Sequence, residues 1–535
     1  MAFLGLEVLA LVVAYLWASH QIARGYGFPL DDSWIYAVFA RNLAEGRGMV
    51  YNPGQSVSPT GILYALILAC LYKISASPVA VAVILGVSMH LAACFTVYLT
   101  ARELDLGETP SILAAALFAA IPRLIWGALS GMEVPLYVLL VCLGLYWHVR
   151  FRLHDGAKAY LPTFAFALAT LARPECGAFL GASVVERMVA AAGSGDARNG
   201  LRRYAVTLPA HLALFCVVLA PAIAFNLIST RMPLPPAFYV KAGNVSSGGV
   251  FAALDYVWQA LRVCARDNVV MAIGVIVGAV ACLRKPMRPT ALLLPLSFLI
   301  VPAATGLLAH RQTGTNQLLF QAGRYSAYLA PLGVLMAAVG FVWLSDRVGR
   351  WRPTVALAAL LLVVGMLVRD NRALAENYAW GVQNVNNMQV AVGKWARGLP
   401  EDAVLAVNDA GAIAYFSRHR IIDTVGVVNP ELARHLAHYR SKQKGLLDYL
   451  AGRRPDYVII FPSWYDRIVA RPRLLKPVKR FALAHNVVCG ERSMVVYKPN
   501  WDMATSTEAT GSSPLSLRPG RIPQERTSPR QRRQP

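Results

Sequence analysis

From residue 2 to residue 369 the chain is a succession of apolar runs broken by short Arg-rich loops. The runs lack the period-two alternation of strands, so they predict membrane-spanning helices and not an outer-membrane barrel. Spans are expected near residues 2–20, 79–100, 110–128, 131–149, 159–172, 175–191, 204–228, 268–283, 289–309, 325–345 and 353–369, about eleven in all. Residues 61–72 form an apolar run of only about a dozen residues, a length that suits a re-entrant or interfacial segment. Trp34, Ile35, Val38, Phe39 and Leu43 recur at helical spacing, with Arg41 and Glu45 off that stripe. This pattern predicts a helix along the membrane surface, ended by Gly46, Gly48 and the turn Asn52-Pro53-Gly54.

After Arg369 the pattern changes. Residues 370–500 alternate short strand-like runs (403–407, 412–416, 456–461, 494–498) with polar helical stretches (388–397, 430–438). This predicts a modest α/β domain attached to the last span. Residues 501–535 are rich in Ser, Thr, Pro, Gly and Arg, a composition that predicts a disordered basic tail. Residues 1–369 are then a transmembrane unit, and no internal repeat is visible in it.

Composition sharpens this picture. Of the 535 residues, 56% are hydrophobic and 15% charged, less charge than a soluble chain of this length carries. The net charge of +23 would suggest nucleic acid in a soluble protein. Here the cations flank apolar runs, which points to topology and membrane lipid, with no nucleic acid. Clusters at 150–158, 187–203, 284–288 and 347–352 belong in the cytoplasm by the positive-inside rule. Loops 130–137, 171–175, 231–243 and 310–325, and everything after Arg369, then face outward. If 61–72 does not span, the loop carrying Asp31 and Asp32 joins them; the balanced charges of 21–58 do not decide this. Residues 2–19 lack a basic n-region and a clear small-residue cleavage site and read as an uncleaved first span. The eight cysteines show no CxxC spacing and no disulfide framework.

Taking the Asp31–Asp32 loop as outward, which gathers the polar motifs on one face, five motifs sit in the outward loops. They are the stretch from Asp31-Asp32 through RNLAEGRGMVYNPG, then SGMEVPLY (130–137), LARPE (171–175), PLPPAFYVKAG (233–243) and GRYSAYLAP (323–331). In this order they resemble the outer-loop motifs of the GT-C glycosyltransferases, in style most like the mycobacterial β-arabinofuranosyltransferases and related bacterial membrane proteins. Pro236 stands where those relatives commonly carry Asn. The resemblance covers most of residues 1–345. It implies a polytopic α-helical GT-C fold with juxtamembrane helices and an extracytoplasmic C-terminal domain, in a bacterial inner membrane. It also implies transfer of a sugar from a polyprenyl-phosphate carrier to a cell-envelope glycan, glycolipid or protein, with inversion in a single displacement.

Such chemistry needs a carboxylate to take the acceptor's proton and cations to hold the leaving phosphate. Asp31 and Asp32 supply the base, Asp31 being favoured by analogy, and Glu133 is a second active-site carboxylate. Arg173, Lys241, Arg311 and Arg324 are the donor-phosphate candidates. Each has a structural alternative: helix capping for the aspartates, pairing for Arg173 with Glu175, and interfacial snorkelling for Lys241 and Arg324. Asp409, Asp423 and Asn429 suit either acceptor contact or turn chemistry. No cofactor is implied, and no metal site is readable. A divalent cation on Asp31, Asp32 and Glu133 would have too few ligands to claim. Two other readings stay open: a transporter or flippase for a lipid-linked sugar, and a non-catalytic scaffold whose outer domain binds a ligand.

Overall fold

A computed structural model of the chain describes residues 2–74, 77–151, 157–192, 197–242, 249–284, 289–308, 318, 320–348 and 352–504. The tail expected from 501 onward lies outside the described residues beyond Ala504. Every predicted span falls on a helix. Among the described residues five helices are long and apolar enough to cross a membrane: Ala2–Ala23, Pro78–Glu103, Val134–Phe151, Arg198–Thr230 and Thr290–Leu307. The predicted span 110–128 is two helices, Glu108–Ala119 and Pro122–Leu129, bent by 55°, and would count as a sixth. Pro122 causes the bend: it has no N–H for the ladder and pushes Ile121 into extended backbone. The run 61–72 is an 11-residue helix, Ile62–Tyr72. At 1.5 Å per residue it covers ~16 Å, about half of a bilayer core.

The amphipathic helix forms as Asp32–Ala44, but its surroundings differ from the expectation. Residues 33–42 are all buried, Arg41 and Asn42 included. The polar face is covered by protein: Arg41 Nη1 donates to Tyr415 O at 2.7 Å, and Trp34 packs on Tyr415 and Phe416. The glycine turn continues into a small hairpin, β1 (Val50–Asn52) and β2 (Gln55–Ser56).

The C-terminal region is built on strands β3 (Val404–Val407), β4 (Arg420–Asp423), β5 (Tyr457–Ile460), β6 (Leu475–Ala482) and β7 (Ser493–Pro499). Their order is β4-β3-β5-β7-β6, with β3 parallel to β4 and β5, and β7 antiparallel to β5 and β6. Three of the four predicted strands are present. The fourth, 412–416, is instead the helix Gly411–Ser417. A five-residue apolar run does not distinguish strand from buried helix, and parallel β3 and β4 need a crossover where this segment lies. One face of the sheet, with Leu405, Val407, Ile459 and Val496, joins the main core. The other holds a separate cluster, in which Ala406, Val458 and Ile460 meet Leu432, Leu446 and Leu450 from the helices Pro430–Ala437 and Lys442–Arg453. The helix Arg352–Val385 runs unbroken across the predicted 369/370 boundary, so the sheet region stands on a rigid extension of the last apolar segment.

Candidate active site

The two adjacent aspartates part company at the start of their helix. Asp31 makes no side-chain bond to its own helix. Its carboxylate instead accepts from the backbone N–H groups of Gly411 (2.7 Å) and Ala412 (2.8 Å), opening the crossover helix of the C-terminal region. The approach needs glycine: a Cβ on residue 411 would lie 2.0 Å from the Asp31 carbonyl oxygen. Burial, and then the neighbouring Asp409, push the Asp31 carboxyl well above the usual carboxylate range, against the pull of those two N–H donors. Three further ties hold the same surfaces together. The Tyr51 hydroxyl donates to Ala410 O, and Asn52 both accepts from Ile421 N and donates to Ile421 O, at 2.9 Å each. The first loop and the C-terminal sheet therefore lie on one side.

Asp32 faces the other way, into a small cleft of about 40 Å³ that Glu133, Arg173 and Arg324 also line, with Tyr36, Pro59, Thr60, Met132, Val427 and Val428 among the rest of the wall. Arg324, 3% exposed, donates from Nη2 to Asp32 Oδ2 at 2.7 Å and to the Tyr325 hydroxyl at 2.9 Å. Among the described residues its Nε is buried without a hydrogen-bond acceptor. Arg173 bridges two acids: Nη1 meets Glu133 at 2.7 Å and Nη2 meets Glu175 at 2.6 Å. Its guanidinium also lies over the rings of Tyr325 (4.7 Å) and Tyr137 (5.5 Å). Glu133 is 2% exposed; among the described residues its Oε2 has no well-formed hydrogen bond, and the Tyr36 hydroxyl lies beside this carboxylate. A buried carboxylate oxygen beside two arginines is poised to accept from a ligand.

The cleft is held open by backbone turns. Gly131 has φ +74°, and a Cβ there would meet the Phe28 ring at 2.2 Å, which is why the turn before Glu133 carries glycine. Ser33 Oγ ties this turn to the first loop through Ser130 O at 2.6 Å. The turn bearing Arg324 is fixed by Tyr137, whose hydroxyl donates to Arg324 O at 2.6 Å and accepts from Ala327 N at 3.1 Å. Arg123, paired with Asp267 at 2.7 Å in the interior, reinforces it through Ser326 O at 2.9 Å.

Of the sequence candidates, Asp32, Glu133, Arg173 and Arg324 converge on the cleft, and Asp31 sits behind it on the C-terminal helix. Lys241 falls in the short helix Pro236–Ala242, but its side chain, like the whole of Arg311, lies outside the described residues. Asp423 and Asn429 serve local structure. Asp423 accepts from Val425 N and Val428 N at 2.8 Å each, and Asn429 caps the helix Pro430–Ala437 through Leu432 N. The Asp423 contacts shape the loop that brings Val427 and Val428 to the cleft. Asp409 accepts from Gln389 at 2.6 Å and Asn408 at 3.0 Å. Burial drives its carboxyl up to about 6. Sequence reasoning missed Tyr36, although it lies one helical turn after Asp32 and so on the same face. Among the described residues no group of three or more His, Cys, Asp or Glu could hold a metal ion.

Comparison with known proteins gives three results. A family described as a domain of unknown function, DUF8728, matches residues 377–512. No curated protein matches the chain. Solved structures do match over nearly the whole length. ArnT from Cupriavidus metallidurans bound to undecaprenyl phosphate is 14% identical with TM-score 0.55, covering 96% of this chain and 99% of that one. The Archaeoglobus fulgidus oligosaccharyltransferase in complex with Zn and sulfate is 14% identical with TM-score 0.56, covering 93% of this chain and 73% of that one. The mycobacterial arabinofuranosyltransferase AftD is 12% identical with TM-score 0.42, covering 92% of this chain and 41% of that one. The chain is a multi-pass membrane protein with the fold of the GT-C glycosyltransferases.

Proposed function

We propose that this protein is an inverting glycosyltransferase of a bacterial inner membrane, moving a sugar from a polyprenyl-phosphate carrier to an extracytoplasmic cell-envelope acceptor. The observation that carries the reading is the convergence of Asp32, Glu133, Arg173 and Arg324, from four distant loops, on one cleft beneath Val427 and Val428. A transporter would place its charges near the bilayer midplane; these lie at loop ends. The carriers named with two relatives of the same fold, undecaprenyl phosphate and dolichol phosphate, support the donor class. An apolar groove of about 440 Å³ along the helices Val269–Arg284, Leu329–Val348 and Arg352–Val385 supports room for part of an isoprenoid tail.

In this reading the aspartates divide the work. Asp32 is the general base and Asp31 the latch that docks the C-terminal region over the cleft. The donor phosphate takes Arg324, which releases Asp32 from that ion pair. The acceptor oxygen then attacks the anomeric carbon from the face opposite the phosphate. Its proton passes to Asp32, the C–O bond to the carrier breaks, and polyprenyl phosphate leaves with the electron pair, held by Arg324 and Arg173. Lys241 and Arg311 are further donor-phosphate contacts carried from the motif pattern. Glu133 orients Arg173 with one oxygen and offers the other to a sugar hydroxyl. Replacing the base costs about 10²- to 10⁴-fold in turnover. The test is transfer in membranes supplied with a panel of polyprenyl-phosphate sugars and an envelope glycan extract. Wild type should transfer one sugar and Asp32→Asn should lose that transfer at equal expression. Full activity in Asp32→Asn would remove it as the base, and no transfer by wild type from any donor would sink the enzyme reading.

A further inference from the structure

The edge of the C-terminal sheet carries a face that the transfer chemistry does not use. Residues 471–480 contain five cations and no acid, and Arg471, Arg473, Lys476, Lys479 and Arg480 are all exposed. Elsewhere in this region arginines are matched by acids, as in Arg453 with Glu431 and Arg454 with Asp502. None of Lys476, Lys479 or Lys498 forms an ion pair among the described residues.

Strand geometry gathers these lysines. Lys476 is the cross-strand partner of Lys498, and Lys498 stands in line with Tyr457 on β5, whose neighbour Val458 pairs with Tyr497. In a regular strand Lys476 and Lys479, three apart, would point to opposite faces. The register shifts between Pro477 and Lys479, so Lys479 pairs with Val496 and Phe481 with Met494. The bulge thus brings Lys476, Lys479 and Phe481 to the face of Lys498 and Tyr457. There Lys479 Nζ lies 5.4 Å from the Trp395 ring centre and 5.2 Å from that of Phe481, and Lys498 Nζ lies 4.4 Å from that of Tyr457. Trp395 meets Tyr457 and Phe481 edge-on at 6.2 and 6.3 Å. Like charges placed directly opposite across a strand pair are destabilising. An anion between them would relieve that repulsion.

We propose that this face binds an anionic polysaccharide, the lysines taking its acidic groups and the three aromatic rings its sugar faces. On the glycosyltransferase reading, the polymer is the acceptor or the matrix that holds it. The protein's own tail does not suit the face, since 505–535 is itself Arg-rich. A lipid surface would engage the lysines and leave the three rings without a partner, whereas a polymer of acidic sugars uses both.

The test uses the full chain in nanodiscs of zwitterionic phosphatidylcholine. The probes are polygalacturonate, a uronic-acid polymer, and neutral dextran of matched length. Wild type should bind polygalacturonate and not dextran. The combined Lys476→Gln, Lys479→Gln, Lys498→Gln variant should bind at least about tenfold more weakly, and the matching Lys→Arg variant should recover. Unchanged binding in the Gln variant, or equal binding of dextran, would overturn the proposal. So would lysine-dependent binding to phosphatidylglycerol vesicles without polymer binding, which would assign the face to lipid, or no polymer binding at all, which would leave the lysines as guards of an exposed strand edge. The assay needs no sugar transfer, so failure of the glycosyltransferase reading would show separately.

Discussion

Asp31→Asn separates the latch from the base. The wild-type carboxylate accepts two backbone N–H groups, from Gly411 at 2.7 Å and Ala412 at 2.8 Å. An Asn side chain has one oxygen for those two donors, and its NH2 would face the second N–H. A hydrogen bond to a charged group contributes about 1.5–3 kcal/mol, and a stranded buried donor costs a similar amount. Against this, Asn relieves the cost of burying a charge beside Asp409, a cost already visible in the raised Asp31 pKa. The net loss should therefore fall at the low end, about 1.5 kcal/mol. Tyr51, Asn52 and Arg41 still hold the C-terminal region in place. The expected outcome is local: amide hydrogen exchange at Gly411 and Ala412 quickens about tenfold, and sugar transfer falls by no more than that factor. If exchange there is unchanged while transfer drops more than about 100-fold, a loss of general-base size, the latch assignment is wrong and Asp31 is the base.

Three other outcomes are expected. Asp409 has its pKa raised by burial to about 6, so its contribution to stability is complete below the unfolded value of about 4 and is lost as pH rises through about 6. Urea unfolding of the C-terminal region should follow that fall, and Asp409→Asn should flatten it; a wild type whose stability does not change across this window would contradict the reasoning. Arg324→Lys keeps the charge but not the fork that serves Asp32, Tyr325 and Met132 together. Donor kcat/KM should drop about tenfold or more, with unchanged kinetics counting against a shaped phosphate contact. Gly131→Ala forces a left-handed backbone and drives a Cβ into Phe28, which is 1% exposed and packed on Trp34. Backbone strain and overpacking together should cost about 2–5 kcal/mol, read as a lower unfolding temperature that Phe28→Leu partly restores.

Much of the architecture was legible in the chain because helix formation in a bilayer depends on local apolar length. The runs from 2 to 369 fall on helices, and the change of pattern near Arg369 precedes a sheet. Errors arose where contacts made far away decide the outcome. The run 412–416 has strand-like residues but folds as the crossover between parallel β3 and β4. Residues 34–43 have an amphipathic pattern, yet their polar side meets Tyr415 and not the membrane surface. The sequence also gave no sign of the lysine face, because the bulge near Val478 resets which residues share a side.

Sequence alone names Asp32, Glu133, Arg173 and Arg324 as charged groups at loop ends, within motifs that resemble a known family. It could not say that they meet, since each lies on a different turn and only packing brings the turns together. Nor could it separate Asp31 from Asp32. Neighbours at a helix start point about 100° apart, so the partner each finds is set by what the rest of the chain packs on either side. Here the tertiary structure places Gly411 and Ala412 against one carboxylate and Arg324 against the other.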